Sequence, residues 1–434
     1  MKDKLLAIKN NPELTGTLYV TVGTLLGSFF SYLLQFFLGR MFSVEDYGSF
    51  NAFLAMSYLV GVPAAVFGTS LIKTVSKLMA KGEYKILTSL FWKLLTLSAI
   101  AGVVIFFIIF SFQNQISKYL NILEFSETIF FGIFMGTTFI AAVPSAYLQG
   151  LLRYRAFGVY LISGGFVRLL LPIIFVYLGY RVNGAFLGIS LAAVATVAIS
   201  LIPLKKNLSE AEEFNALSIY KSLFIFSIPV AFINFGMMIL NNIDMILVKS
   251  FFDSNTAGYY AGTVTLGKIL LFGAGTITLV MYPKISALYS KKDFGQMYKL
   301  FNLLLKTQIL VIVAGVLSFM LFPKVLTMLF FGSRFINSVQ YLPRFAFFIG
   351  LYVLVNFMVF YFLAIEKTKV FMFLIPTVVA QYILLHMFNN SVESIINVNI
   401  SVTAVLLLAL VIYFLTTKNA GFDNSPGLQT GKNN

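Results

Sequence analysis

Residues 227–262 read SIPVAFINFGMMILNNIDMILVKSFFDSNTAGYYAG. About 22 apolar residues run up to Lys249, a short polar turn follows, and the apolar pattern restarts at Gly258-Tyr259-Tyr260. A run of that length crosses a bilayer core of ~30 Å as a helix. One acid, Asp244, lies inside it, close to the pair Asn241-Asn242. The same unit occurs earlier. Residues 39–53 read GRMFSVEDYGSFNAF: a cation, an apolar pair, an acidic turn, then Gly48-Ser49-Phe50 opening the next run.

Working outward, the 434 residues are 59% hydrophobic and 11% charged, with mean hydropathy +0.90. Soluble chains are about a quarter charged, so this composition defines an integral membrane protein. The run Thr15–Gly39 is too long for a signal-peptide core and has no small-residue cleavage site, so it reads as a retained first helix. The chain has no cysteine and one histidine, His386. Thiolate and His-rich metal sites are therefore excluded, and no nucleophile motif accompanies His386. No metal and no cofactor is expected.

Twelve runs read as spans: 15–38, 47–70, 88–111, 128–150, 158–179, 183–203, 222–248, 257–282, 303–323, 345–364, 370–388 and 395–417. Of the 31 Lys and Arg residues, 21 fall in segment 1–14, in alternate connections and in the tail, and 7 lie in or beside the other connections. Cation-rich short loops stay cytoplasmic, which places both termini inside. The formal charge of +15 is thus a topology signal, and no nucleic-acid partner is expected. The polar connection 205–218 divides the chain into halves 1–204 and 219–418, and a Gly/Asn-rich tail, 419–434, reads as disordered.

The halves repeat. At a shift of 210, Gly48 matches Gly258, Phe50 matches Tyr260, Ser76 matches Ser286, Lys81 matches Lys291 and Glu83 matches Asp293. At a shift of 214, Tyr147–Arg155 matches Tyr361–Lys369. Six spans separate the copies, so they share one orientation, with a pseudo-two-fold along the membrane normal.

Local motifs have structural readings first. Ser43 with Asp46 is a capping pattern, which is favoured over catalytic paired acids because the second copy keeps capping residues and loses the acid pair. Gly23 and Gly27, and Gly262, Gly267, Gly273 and Gly275, suit close helix packing. Pro63, Pro144, Pro172, Pro229 and Pro376 allow kinks. Lys73, Lys77 and Lys81 form one cationic helix face for anionic headgroups.

Charges at mid-depth carry the functional reading. Lys268 and Arg168 lie near the centre of their spans, where a charge is costly and faces a bundle interior or wet cavity. Asp244 is roughly 10 Å shallower than Lys268 at 1.5 Å per residue. Central cations without acidic partners suit an anionic substrate; backbone carbonyls are the structural alternative. Arg40 and Lys249, which close the first and seventh spans, join them as candidate substrate contacts. Asp244 breaks the repeat, because the position five before Arg40 is Gln35. A carboxylate at that depth, with Asn241 and Asn242 as oxygen ligands, reads as a proton or sodium coupling site, or else as a local ion pair with Lys249 or Arg40.

Leu38-Gly39-Arg40 to Tyr47-Gly48-Ser49-Phe50, Gln149-Gly150-Leu151-Leu152-Arg153, and Asp244 followed by Gly258-Tyr259-Tyr260 resemble the polysaccharide-transport, Wzx-type branch of the multidrug/oligosaccharidyl-lipid/polysaccharide (MOP) flippase superfamily. The resemblance implies an all-α membrane fold of 12 transmembrane helices in two six-helix lobes, a V of the MATE kind. It implies movement of an undecaprenyl-diphosphate-linked oligosaccharide from the inner to the outer leaflet of a bacterial cytoplasmic membrane, through a cationic lumen. It further implies membrane lipids, a polysaccharide polymerase and a chain-length regulator as partners. Two other readings stand beside it. A cation-coupled drug antiporter is disfavoured by the central cations. A membrane glycan polymerase or glycosyltransferase is disfavoured by the short outer loops, of which the longest is 112–127.

Overall fold

The computed structural model describes residues 12–122, 124–205 and 217–423, and every regular element in them is helical. Segment 1–11, most of the connection 205–218, and the tail beyond 423 lie outside the described residues. The helices are α1 Pro12–Met41, α2 Val44–Val60, α3 Val62–Ala80, α4 Tyr84–Ser111, α5 Gln113–Tyr119, α6 Phe125–Gly150, α7 Tyr154–Phe175 and α8 Arg181–Leu204. They continue as α9 Leu217–Phe251, α10 Ser254–Ser290, α11 Phe294–Leu321, α12 Pro323–Phe331, α13 Leu342–Ala364, α14 Phe371–Met387 and α15 Val392–Asp423, with a 3₁₀ segment Ser333–Gln340 before α13. The last helix therefore runs five residues into the segment read from sequence as a disordered tail. In lipid only helices or closed barrels satisfy every backbone group, and the described residues of this apolar chain take the helical solution.

Ten stretches are long and apolar enough to cross a membrane alone, and eleven if the pair α2–α3, bent by 44°, counts as one. That bend falls at Gly61-Val62-Pro63, where proline removes a helical donor. The 51-residue stretch Tyr154–Leu204 reverses at Gly179 (φ 94°) and Arg181 (φ 45°). Its two arms then lie antiparallel, with Gly164 against Thr196 and Gly188 against the backbone at Pro172.

The repeat is visible in the element boundaries. α2–α3 cover 44–80 and α10 covers 254–290; α4 covers 84–111 and α11 294–321; α5 begins at 113 and α12 at 323. Each is displaced by 210. Left-handed residues end the paired helices as well: Gly82 (φ 74°) with Lys292 (φ 57°), and, at a shift of 214, Leu152 (φ 54°) with Glu366 (φ 60°). All four turns close with the same six-to-one bond: Glu83 N–H to Leu78 O, Asp293 to Leu288, Arg153 to Leu148 and Lys367 to Phe362, at 2.8–3.1 Å. This helix-ending motif wants an αL residue after the last turn. The non-glycine residues there accept the left-handed backbone penalty of roughly 1–2 kcal/mol.

The chain packs as two compact units. The first comprises Met1–Phe235, Met245–Gly262 and Leu329–Phe335. Its core joins α3, α4, α6 and the start of α7 through Leu71, Val75, Leu90, Phe91, Val143 and Tyr147, whose hydroxyl donates to Leu87 O at 2.9 Å. A second aromatic group, Phe53, Phe131, Phe134 and Phe186, binds α2, α6 and α8 at centroid distances of 4.7–6.3 Å. Gly23 abuts Gly158 and Gly27 abuts Gly165, so α1 and α7 approach backbone to backbone. Lipid offers no hydrophobic drive between helices, and such close packing takes its place.

The second unit comprises Gly236–Asp244, Thr263–Met328 and Ile336–Asn434. Its central helix is α13, buried along most of its length. Phe301 of α11 stacks on Tyr361 (4.3 Å) and on Phe414 of α15 (4.9 Å). Gly267 lies under Phe345, Gly315 under Leu270 and Gly350 beside Ile312. Gly273 and Gly275 depart from the close-packing expectation, since both face open space.

Candidate functional site

α9 is amphipathic in an unusual sense: its apolar run carries Asn241, Asn242 and Asp244 inward. Asp244 is wholly buried. Asn399 of α15 donates to its Oδ2 at 3.1 Å. Gln381 of α14 donates in turn to Asn399 Oδ1 (2.9 Å) and to Leu240 O (3.1 Å). One polar chain thus ties α9, α14 and α15 together within the second unit. Three further oxygens on these helices are buried without a hydrogen-bond partner: Asn241 Oδ1, Gln381 Oε1 and Thr403 Oγ1. Asn241 lies one turn before Asp244, and Thr403 one turn after Asn399. Unsatisfied polar atoms away from water cost roughly 1–3 kcal/mol each, so these oxygens are free to accept from a water, a proton or a cation. One carboxylate with neutral oxygens is the donor set of a hard cation or a proton. No cluster of three His, Cys, Asp or Glu suited to a metal ion occurs among the described residues.

Lys268 of α10 is half-buried, and its Nζ donates to Asn242 Oδ1 at 3.0 Å. Asn242 is held by its own Nδ2 donating to Met238 O at 2.8 Å. The Asp244 carboxylate acts on the ammonium electrostatically. The expectation of a central cation lacking partners is corrected here. Helical rise gives the depth of Cα atoms, whereas the four-carbon lysine stem carries its charge several ångströms along the bundle. Lys268, Asn242 and Asp244 therefore come together, although Asn242 serves the lysine rather than the carboxylate. Arg168, on α7, belongs to the first unit; it is half-buried with Nε unpartnered.

Arg40 and Lys249 have other duties. Arg40 donates to Leu329 O (2.5 Å) and Phe330 O (3.2 Å), capping the end of α12, and lies over the Phe36 ring. Lys249 is 1% exposed, donates to Ser254 Oγ at 2.9 Å, and sits among the carboxylates of Glu127, Glu45, Asp253 and Asp46. It has no surface to offer a substrate. Asp46, read as a capping acid, receives both Nη2 (2.6 Å) and Nε (3.0 Å) of Arg181, whose Nη1 reaches Glu124 at 2.7 Å. The cap itself is made by Ser43 Oγ accepting from Asp46 N–H. Arg181 belongs to no motif in the sequence and is one of the seven cations in or beside the cation-poor connections. An arginine on the cation-poor side, where Glu45, Asp46, Glu124, Glu127, Asp253 and Glu393 lie, is the available signal.

Repeat-related residues meet each other in this region. Asn255 donates to Glu45 at 3.1 Å, and Gly48 abuts Gly258; each pair differs by 210.

Among the described residues the chain is all-helical, internally repeated and apolar enough for ten or eleven membrane crossings, and the Lys268 ammonium lies in the field of the Asp244 carboxylate inside one unit. Solved structures share the fold. An inward-facing multidrug resistance MATE family transporter of the MOP superfamily aligns over 93% of this chain and 99% of its own, with TM-score 0.76 at 14% identity. The lipid II flippase MurJ, in an inward closed conformation, aligns over 92% and 87%, with TM-score 0.69 at 14% identity. The outward-facing conformation of a MATE family transporter gives TM-score 0.63 at 15% identity over 95% and 97%. A family profile described as polysaccharide biosynthesis protein matches residues 14–289, and the chain belongs to that family. No curated protein sequence matches it.

Proposed function

We propose that this protein is a flippase that moves an undecaprenyl-diphosphate-linked oligosaccharide from the inner to the outer leaflet of a bacterial cytoplasmic membrane, for surface polysaccharide assembly. The observation that carries the reading is Lys268, an ammonium at mid-span tied to Asn242 and in the field of Asp244, within a chain of the polysaccharide biosynthesis family. The reading takes twelve crossings: the ten apolar stretches, the bent pair α2–α3, and the division of Tyr154–Leu204 into two arms. Both termini are then cytoplasmic, and the halves 1–204 and 219–418 alternate in access.

Two phosphates leaving water at mid-membrane face a prohibitive desolvation cost unless a fixed positive charge is close. Lysine suits transit, because a point charge holds a diphosphate without the bidentate grip of arginine. Asp244 supplies the coupling. While its carboxylate is charged it competes for the Lys268 ammonium. A sodium ion or proton on Asp244, with Asn241, Gln381 and Thr403 as further oxygens, cancels that attraction and frees the ammonium for the diphosphate. Cation and substrate then raise each other's affinity, as linkage requires.

The test is reconstitution. Proteoliposomes holding a fluorescent lipid-linked glycan are assayed for its appearance in the far leaflet, with and without a sodium or proton gradient. Gradient-dependent transfer by the wild type is expected. Absence of transfer under every gradient, with the protein folded and inserted, overturns the reading.

A further inference from the structure

The ends of α1, α7 and α8 enclose a cleft of about 840 Å³ on the first unit. Its polar wall is formed by Thr15, Tyr19, Arg153, Tyr154, Arg155, Tyr160 and Ser200, and among the described residues no acid lines it. The Arg155 guanidinium lies 5.8 Å from the centre of the Tyr19 ring, a spacing within cation–π range. Tyr160 stacks on Phe157, at 6.1 Å, and reaches Ala141 O. The Tyr154 ring packs on Gly16, and the Tyr19 backbone on Gly158, so small residues bring both tyrosines to the cleft. Val159 and Ile202 leave an exposed apolar edge.

The repeat separates what the fold needs from what it does not. Leu152-Arg153-Tyr154-Arg155 and Glu366-Lys367-Thr368-Lys369 make the same turn, with left-handed residues at Leu152 and Glu366, and each carries two cations. Turn geometry and membrane sidedness are therefore satisfied by lysine and threonine. Arginine and tyrosine occur only in the first copy, where they line the cleft, and the second copy adds an acid. The asymmetry is chemical rather than structural.

We infer that this cleft is the cytoplasmic loading site for the diphosphate–sugar headgroup of the lipid-linked glycan; the inference rests on the flippase reading above. Two guanidinium groups present planar, paired donors to phosphate oxygens, the geometry in which arginine exceeds lysine. Tyrosine rings offer an apolar face for a pyranose and a hydroxyl for its oxygens. The exposed Val159 and Ile202 edge receives the first isoprene units. A loading site must capture a scarce lipid from the bilayer, so a tight grip belongs here and a loose one at Lys268.

The experiment measures binding to the full-length protein in phosphatidylcholine nanodiscs. The probes are a polyprenyl diphosphate bearing a disaccharide, a polyprenyl diphosphate without sugar, phosphatidylglycerol and inorganic diphosphate. R153A/R155A is expected to weaken both prenyl diphosphates tenfold or more, with Arg155→Lys intermediate. Tyr19→Ala is expected to weaken only the sugar-bearing probe. Both arginines are exposed, and a thermal-melting control verifies the fold. Unchanged affinity in R153A/R155A overturns the site. So does displacement of the glycan lipid by an equal concentration of phosphatidylglycerol, which marks a bulk-lipid surface, or equally tight inorganic diphosphate, which marks a nonspecific anion patch. If the wild type transports while R153A/R155A binds normally, only the loading site fails. If the wild type neither binds nor transports the glycan lipid, the flippase reading fails.

Discussion

At the scale of the residue, Lys268 and Asp244 form a linked pair whose members are separable by mutation. Lys268→Ala removes the mid-span ammonium and should lower glycan-lipid transfer at least tenfold at wild-type expression, while Lys268→Arg keeps the charge and retains part of the rate. Normal transfer by Lys268→Ala in proteoliposomes would reduce the lysine to a packing role. Asp244→Asn leaves Asn399 a neutral acceptor but abolishes the ionised carboxylate. Transfer should then lose its dependence on a sodium or proton gradient, and the measurement is the ratio of rates with and without the gradient. A second residue-scale test concerns Arg181. Removing it strips Asp46, whose side chain is 8% exposed, of both charge-assisted bonds. A loss of about 1–3 kcal/mol is expected on thermal denaturation. Asp46→Ala combined with Arg181→Ala should cost less than the sum of the single changes, as coupled partners do.

Among elements, the α9–α10 turn decides most. Asp253 caps α10: its Oδ1 accepts from the N–H of Asn255 and of Thr256, and the Thr256 hydroxyl donates to Oδ2 at 2.6 Å. These bonds hold the Asp253 carboxyl below the usual carboxylate range, the Thr256 hydroxyl contributing most. The sign follows from linkage. A depressed folded-state pKa contributes stability in full above the ordinary carboxylate pKa of about 4, and that contribution is lost as pH falls through the folded value. Asp253→Asn should therefore flatten the acid limb of a melting-temperature profile below pH 5. Glycines on α10 are also separable. A Cβ at Gly258 would collide with the carbonyl of Val44, so Gly258→Ala should destabilise by about 1–3 kcal/mol. At Gly275 a Cβ meets nothing, and Gly275→Ala should be neutral or stabilise by up to about 1 kcal/mol. Comparing the two melting temperatures distinguishes close approach from mere helix thinning.

For the whole molecule, the cation distribution makes a topological prediction. Lysines introduced at 112–127 and 389–394 should react with an impermeant amine reagent added to intact cells, whereas lysines at 205–218 should not. Labelling of 205–218 from outside would invert the sidedness of the loading cleft and of the transport direction together. The two halves repeat at this scale, yet the contacts sort 245–262 and 329–335 with the first unit. The physical cause is local: Gly48 against Gly258 and Arg40 on Leu329 and Phe330 draw these segments of the second copy into the packing of the first.

Hydrophobic run length, cation bias and the 210-residue register were enough, from sequence alone, for a multi-pass helical membrane protein with an internal repeat. Those features are one-dimensional: a span needs only length and apolarity, and a repeat needs only order along the chain. The Ser43 cap was legible because its partner Asp46 lies within one turn, and the Gly23–Gly27 stripe because both glycines share one helix face, whereas the α7 glycines that they meet lie far away along the chain. Asp244 and Lys268 were found as charges out of place. Their partners were not, because Asn399 and Gln381 lie 155 and 141 positions from the residues they bond, Asp244 and Leu240. Neutral amides also carry no signal against an apolar background. Nor could sequence tell that Lys249 is sealed among carboxylates while Lys268 is half-buried against Asn242, because only the packing of helices from distant parts of the chain decides the surroundings of each ammonium.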